Sequence, residues 1–160
     1  TRELWGKEIT YAHNGQLSGY DDLKPEFYQP VGDTDSELAY CWILDEIRKK
    51  FTEKPKDMAP VFRYAAQLAP KLKAKGVFNM LLTDGEYVLA YCTNNLHWIT
   101  RRAPFGKASL IDADVIIDFQ KETTPNDVVT VIATRPLTED EDWHKIEEGD
   151  FKLFKLGELV

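Results

Sequence analysis

The run Val77-Phe78-Asn79-Met80-Leu81-Leu82 constrains this chain more than any other segment, because six residues pass with only one polar side chain among them. A strand that solvates one face alternates apolar and polar residues, whereas this run predicts a strand covered on both faces. The fold must therefore place layers above and below it. Asp84-Gly85 follows and separates 77–83 from a second β-rich run at 86–92, a strong two-residue hairpin signal. Further strands are predicted over 96–100, 114–119, 128–134 and 151–156.

Before Gly76 the period is different. Thr34 with Glu37 three residues later reads as a capping box that starts a helix over about 35–51. Leu38, Cys41, Trp42, Asp45 and Phe51 form its mostly apolar stripe, and Lys49 and Lys50 suit the negative end of its dipole. A second helix is predicted from near Asp57 to Gly76, with Val61, Ala65, Leu68 and Leu72 on one face and Pro70 expected to kink or shorten it. Helices stacked on antiparallel sheets, an α+β arrangement, follow. The acidic stretch 137–149 reads as a surface excursion. Leu4 to Ile9 leads into the next motif with no opening element of its own.

That motif is Tyr11-Ala12-His13-Asn14-Gly15-Gln16-Leu17. It reads as a turn in which the Asn14 side-chain amide and the Gly15 backbone N–H supply two neutral donors suited to a developing oxyanion, as in acyl transfer. Asn-Gly is also a common turn dipeptide, so the pair is weak evidence taken alone. No Cys, Ser or Thr stands beside a base in a recognisable nucleophile motif. The attacking residue is expected outside these residues.

The remaining features narrow the classes. The 160 residues suit one domain, and 43% hydrophobic with 29% charged residues is an ordinary globular composition. A net charge of −7 argues against nucleic acid as a partner. No apolar run reaches the length of a bilayer span, so no membrane association is expected. Cys41 and Cys92 sit in apolar patterns and read as packed small hydrophobes, which points to a reducing, cytoplasmic setting. His13, His97 and His144 lack metal-ligand spacing, so neither a metal nor another cofactor is expected. Arg101-Arg102 suits an anionic substrate group or a solvated strand end equally. Trp5, Trp42, Trp98 and Trp143 are assigned to the core. Thr1, with its own amine as base, is a remote candidate nucleophile.

Ala12-His13-Asn14-Gly15-Gln16-Leu17, Val31-Gly32-Asp33-Thr34-Asp35-Ser36-Glu37 and Lys75-Gly76-Val77-Phe78-Asn79-Met80-Leu81-Leu82 together resemble the class II glutamine amidotransferases, YafJ-like subgroup. Arg101-Arg102-Ala103-Pro104-Phe105-Gly106 and 123–134 extend the likeness over almost the whole chain. The resemblance implies an N-terminal-nucleophile hydrolase fold, a four-layer αββα sandwich of antiparallel sheets, here without its opening strands. It implies a single glutamine amidotransferase type 2 domain over 1–160, N-terminally incomplete, that hydrolyses glutamine or a γ-glutamyl small molecule. The family's Cys nucleophile and carboxylate-gripping Arg would precede Thr1.

By the same resemblance Asn14 and Gly15 form the oxyanion hole and Asp35 binds the substrate α-ammonium, with His13 and Thr34 beside it. His13 is expected to position Asn14 rather than to react. The alternative is a catalytically inactive scaffold that binds glutamate-like ligands or a partner. The missing N-terminal segment is an expected partner, and a homo-oligomer is left open.

Overall fold

In a computed structural model the described residues are 1–111 and 116–160. The chain opens with a hairpin, β1 (Arg2–Leu4) and β2 (Lys7–Leu17), turned at Trp5 and Gly6, both with positive φ. Segment 4–9 is thus sheet from the start, against the expectation of no opening element. The alternation Ile9, Tyr11, His13 is short and interrupted by Asn-Gly, which masks its strand character.

Two helices follow, α1 (Asp35–Lys50) and α2 (Ala59–Lys73). Pro70, expected to kink or shorten α2, lies in its last turn, and the helix runs past it to Lys73 with the Ala74 N–H donating to the Pro70 carbonyl at 3.0 Å. Next come β3 (Gly76–Thr83), β4 (Tyr87–Tyr91), β5 (His97–Arg102), β6 (Lys107–Ser109), β7 (Ile116–Asp118) and a single helical turn, α3 (Phe119–Glu122). The chain closes with β8 (Val128–Ala133), β9 (His144–Lys145), β10 (Phe151–Lys155) and β11 (Glu158–Leu159). Of the strand expected over 114–119, its first two residues fall outside the described residues. Asp84 and Tyr87 face each other, so the β3–β4 turn centres on Gly85-Glu86, one residue later than expected, with the Asp84 carboxylate accepting from the N–H groups of Glu86 and Tyr87.

The main sheet is antiparallel with strand order β1-β2-β3-β4-β10-β11, and a smaller antiparallel sheet has the order β8-β5-β9. Side-chain alternation divides the main sheet. Phe78, Met80 and Leu82 of β3 and Tyr87, Leu89 and Tyr91 of β4 join one cluster with the helices, where Phe62, Ile43, Leu44 and Leu72 are fully buried. Leu81 and Ala90 face the other way and meet Cys92, Leu96, Trp98, Ile132 and Ile146. Trp98 of β5 meets Phe154 of β10 edge-on, with ring centroids 5.2 Å apart, tying the sheets together. β3 is therefore covered on both faces, as its apolar run with the single polar residue Asn79 requires. The layers described are helices, large sheet and small sheet; beyond α1 and α2 the described helical residues amount to the single turn α3.

Two expectations need correction. Segment 137–149 contributes β9 and buries Thr138 and Ile146, so it is part of the small sheet's packing. Of the four tryptophans only Trp42 is buried, while Trp5 and Trp98 are half-covered and pack at the edges of the two clusters. Trp143 is likewise half-covered and donates its indole N–H to Thr138 Oγ1 at 2.9 Å. Asp45, on the apolar stripe of α1, is fully buried and accepts hydrogen bonds from the backbone N–H groups of Glu26, Phe27 and Tyr28. It fixes the path of the chain between β2 and α1.

Candidate active site

Asn14 and Gly15 lie within β2 and pair in register with Asn79 and Phe78 of β3. They are strand residues, not a turn. The Asn-Gly dipeptide misleads here because the strand pairing, not a local bend, satisfies the backbone. The Asn14 side chain is exposed and makes no hydrogen bond among the described residues. Gly15 is required sterically: a Cβ there would stand 1.9 Å from the Val77 carbonyl oxygen and 2.8 Å from His13 Nε2.

Three residues beyond Asn14, the chain meets the start of α1. The Leu17 N–H donates to Asp35 Oδ2 at 2.6 Å, and Asp35 Oδ1 accepts from the Ser36 N–H at 2.7 Å. Thr34 caps the helix as expected, its hydroxyl accepting from the Glu37 N–H at 3.2 Å. The reciprocal arm of the capping box is absent. Glu37 instead accepts from the N–H groups of Val31 (3.0 Å) and Gly32 (2.7 Å) and from Arg2 Nη2 (2.6 Å). These backbone donors, with Arg2 adding to them, hold the Glu37 carboxyl below its ordinary range.

The His13 ring bridges the two elements. Its Nδ1 lies 2.8 Å from Ser36 Oγ, and its Nε2 lies 3.0 Å from the Val77 carbonyl oxygen. Behind it Tyr11 and Tyr40 stack with centroids 4.8 Å apart and planes within 4° of parallel. Tyr40 donates to the Ile9 carbonyl and accepts from the Arg2 N–H, while the buried Tyr11 hydroxyl has no hydrogen-bond partner among the described residues. Burial pushes Tyr40 up to about 12, and burial with the nearby Asp35 charge pushes Tyr11 up as well.

His13, Thr34, Ser36, Arg2 and Tyr40 line a cavity of about 450 Å³. Asp35, Asn14 and Gly15 are not among its lining residues: Asp35 stands between Thr34 and Ser36 at the start of α1, and Asn14 and Gly15 lie on the exposed continuation of β2 past His13. Two residues were missed by reading the sequence. Ser36 gave no separate signal. Asn79 gave one, as the polar interruption of an apolar strand: buried, its Oδ1 accepts from the Thr93 N–H at 2.9 Å and its Nδ2 donates to Asn94 at 2.6 Å.

The other candidates fall away from this site. Cys41 and Cys92 are free, fully buried, and their thiols are pushed up by burial. Arg101 is held by Glu141 at 2.7 and 2.5 Å and Arg102 by Glu158 at 2.6 Å, so both guanidinium groups are already paired beside a cavity of about 590 Å³. Among the described residues no three His, Cys, Asp or Glu side chains gather as a metal site, and no helix is long and apolar enough to cross a membrane.

Comparison with known proteins adds the following. The model of the family described as glutamine amidotransferases class-II matches residues 1–160. YafJ of Escherichia coli (strain K12), which bears the glutamine amidotransferase name provisionally, is 62% identical over 160 residues, covering 100% of this chain and 63% of its own length. A Haemophilus influenzae protein (strain ATCC 51907) with the same provisional name is 42% identical over 159 residues, covering 99% of this chain and 54% of its own length. A Pseudomonas aeruginosa PA01 crystal structure, titled a predicted glutamine amidotransferase, superposes with a TM-score of 0.88 at 47% identity, over 99% of this chain and 62% of that one. The chain thus spans less than two thirds of each of these relatives.

Proposed function

We propose that this chain, which belongs to the class-II glutamine amidotransferases, binds the γ-glutamyl group of glutamine or of a small γ-glutamyl compound and supports hydrolysis of its amide through a cysteinyl acyl-enzyme. The nucleophile comes from a cysteine that these 160 residues do not supply. That thiolate attacks the γ-carbonyl carbon, and the carbonyl oxygen becomes an oxyanion that the Asn14 amide and the Gly15 N–H receive. Collapse expels the protonated amine and leaves a thioester, which water hydrolyses to glutamate and free thiol. Asp35 binds the α-ammonium group with a charge-assisted hydrogen bond, and His13 and Thr34 shape the wall beside it. No cofactor takes part.

The observation that carries this reading is the 2.6 Å hydrogen bond from Leu17 to Asp35. It fixes the ammonium-binding carboxylate to the strand that bears the oxyanion donors, so both ends of one γ-glutamyl group are held by a single β2–α1 joint. The wider reading is of one type 2 glutamine amidotransferase domain of N-terminal-nucleophile hydrolase architecture, completed by a preceding segment and working in the cytoplasm without nucleic acid or membrane. Glutamate release from L-glutamine and from γ-glutamyl peptides by the intact protein tests it. Release that disappears in Asn14→Ala is the expected result, and no release from any γ-glutamyl amide would exclude it.

A second reading is a scaffold that binds glutamate-like ligands without turning them over. The burial of both Cys41 and Cys92 favours it for the chain in isolation. Saturable glutamate binding with no hydrolysis by the intact protein would establish it.

A further inference from the structure

The His13 ring has one partner whose chemistry is fixed. A carbonyl oxygen only accepts, so the 3.0 Å contact with Val77 requires the proton on Nε2. In the neutral ring Nδ1 is then bare and must accept, and among the described residues the group that reaches it is the Ser36 hydroxyl at 2.8 Å. Ser36 carries a single hydroxyl proton. Once given to His13 it cannot go to Asp35 Oδ1, which lies 3.3 Å from the same oxygen. Asp35 Oδ1 then keeps the Ser36 N–H at 2.7 Å and an uncommitted lone pair.

We propose that Ser36 is a positioning residue for both halves of the site: its hydroxyl, donating to Nδ1, holds the His13 ring where the Val77 carbonyl fixes it as the Nε2–H tautomer, and that ring in turn packs Val77 against Gly15. The stereochemistry is tight. The Val77 oxygen and His13 Nε2 are atoms that a Cβ on Gly15 would strike, so the ring and the carbonyl pack directly against Gly15 while the β2–β3 pairing holds its backbone. Phe78 backs the ring with centroids 4.9 Å apart, which leaves rotation about the ring's own bond as its main freedom. Ser36 stops that rotation. One hydroxyl thus couples the start of α1 to the strand that bears the oxyanion donors and, by pointing away from Asp35, leaves a lone pair of Oδ1 open to an ammonium group beside the Leu17 and Ser36 N–H groups the carboxylate already holds.

This inference rests on the proposed γ-glutamyl chemistry for its catalytic consequence but not for its structural one. Long-range ¹H–¹⁵N spectra of the intact protein read the tautomer without any substrate. With three histidines in this chain, His13 is assigned by its loss in His13→Gln. The native protein and Ser36→Thr should show one Nε2–H species, and Ser36→Ala a mixture of tautomers. In glutamate-release assays Ser36→Ala should lower kcat by on the order of tenfold to a hundredfold, with Ser36→Thr restoring it. An unchanged Nε2–H signature in Ser36→Ala overturns the proposal whatever the activity. A tautomer shift in a protein that hydrolyses no γ-glutamyl amide upholds the Ser36 lock and removes the functional reading instead.

Discussion

Leu17 donates its backbone N–H to the Asp35 carboxylate at 2.6 Å, joining the end of a strand to the first turn of a helix eighteen residues on. The contact gives Asp35 a role in the fold as well as in the proposed site. Asp35→Asn keeps one oxygen acceptor for Leu17 but loses the charge and the acceptor of the Ser36 N–H. It should therefore fold and raise the Michaelis constant for γ-glutamyl substrates at little cost to kcat, because a neutral amide holds an ammonium group poorly. Equal Michaelis constants in the two proteins would take Asp35 out of the site.

Asn14 should behave in the opposite way. Its side chain is exposed and makes no hydrogen bond among the described residues, so Asn14→Ala should leave the melting temperature nearly unchanged. Turnover should fall by roughly 10²–10³, the usual loss for one oxyanion donor. Steady-state kinetics beside a thermal melt separates the two effects.

Gly15→Ala is a stability test. The added Cβ would overlap the Val77 carbonyl, and the contact is with backbone, so β2 and β3 must separate locally. A loss of about 1–3 kcal/mol is expected, in line with overpacked sites. Denaturant unfolding measures it, and an unchanged midpoint would mean that the two strands are not in this register.

Strand and helix content could be read from the sequence wherever periodicity was long. The apolar run 77–82 correctly demanded a doubly covered strand, and Thr34 correctly marked the start of α1. Asn14-Gly15 was misplaced because a dipeptide favoured in turns carries no information about the strand that pairs with it, and β3 lies over sixty residues away. The Ser36–His13 contact was hidden likewise, since it joins residues 23 apart on different elements. Asp45 was read as a tolerated polar residue on an apolar stripe, since nothing local announces three backbone donors from the segment before the helix.

Acid should weaken the β1–β2 and β3–β4 turns together. Burial raises the Asp84 carboxyl, but Lys7 at 2.7 Å and the N–H groups of Tyr87 and Glu86 outweigh it, and the folded value lies below the ordinary one. A depressed carboxyl contributes stability above its unfolded pKa and loses it as the pH falls through the folded value. Asp84→Asn should thus lower stability at neutral pH and flatten the acid limb of a plot of unfolding free energy against pH. Parallel limbs in the two proteins would contradict the Lys7–Asp84 assignment.

Because both thiols are fully buried and shifted up, Cys41 and Cys92 should resist iodoacetamide in the native protein and react once it is denatured. Peptide mapping after a short pulse of reagent decides this site by site.

Mass-mapped labelling of the intact protein with a chloroketone analogue of glutamine reaches the core of the proposed mechanism, since such a reagent alkylates the thiol that attacks the γ-carbonyl. A single adduct on a cysteine outside residues 1–160, slowed by Asp35→Asn and blocked by excess glutamine or a γ-glutamyl peptide, is the expected result. An adduct on Cys41 or Cys92, or no saturable labelling at all, would contradict it.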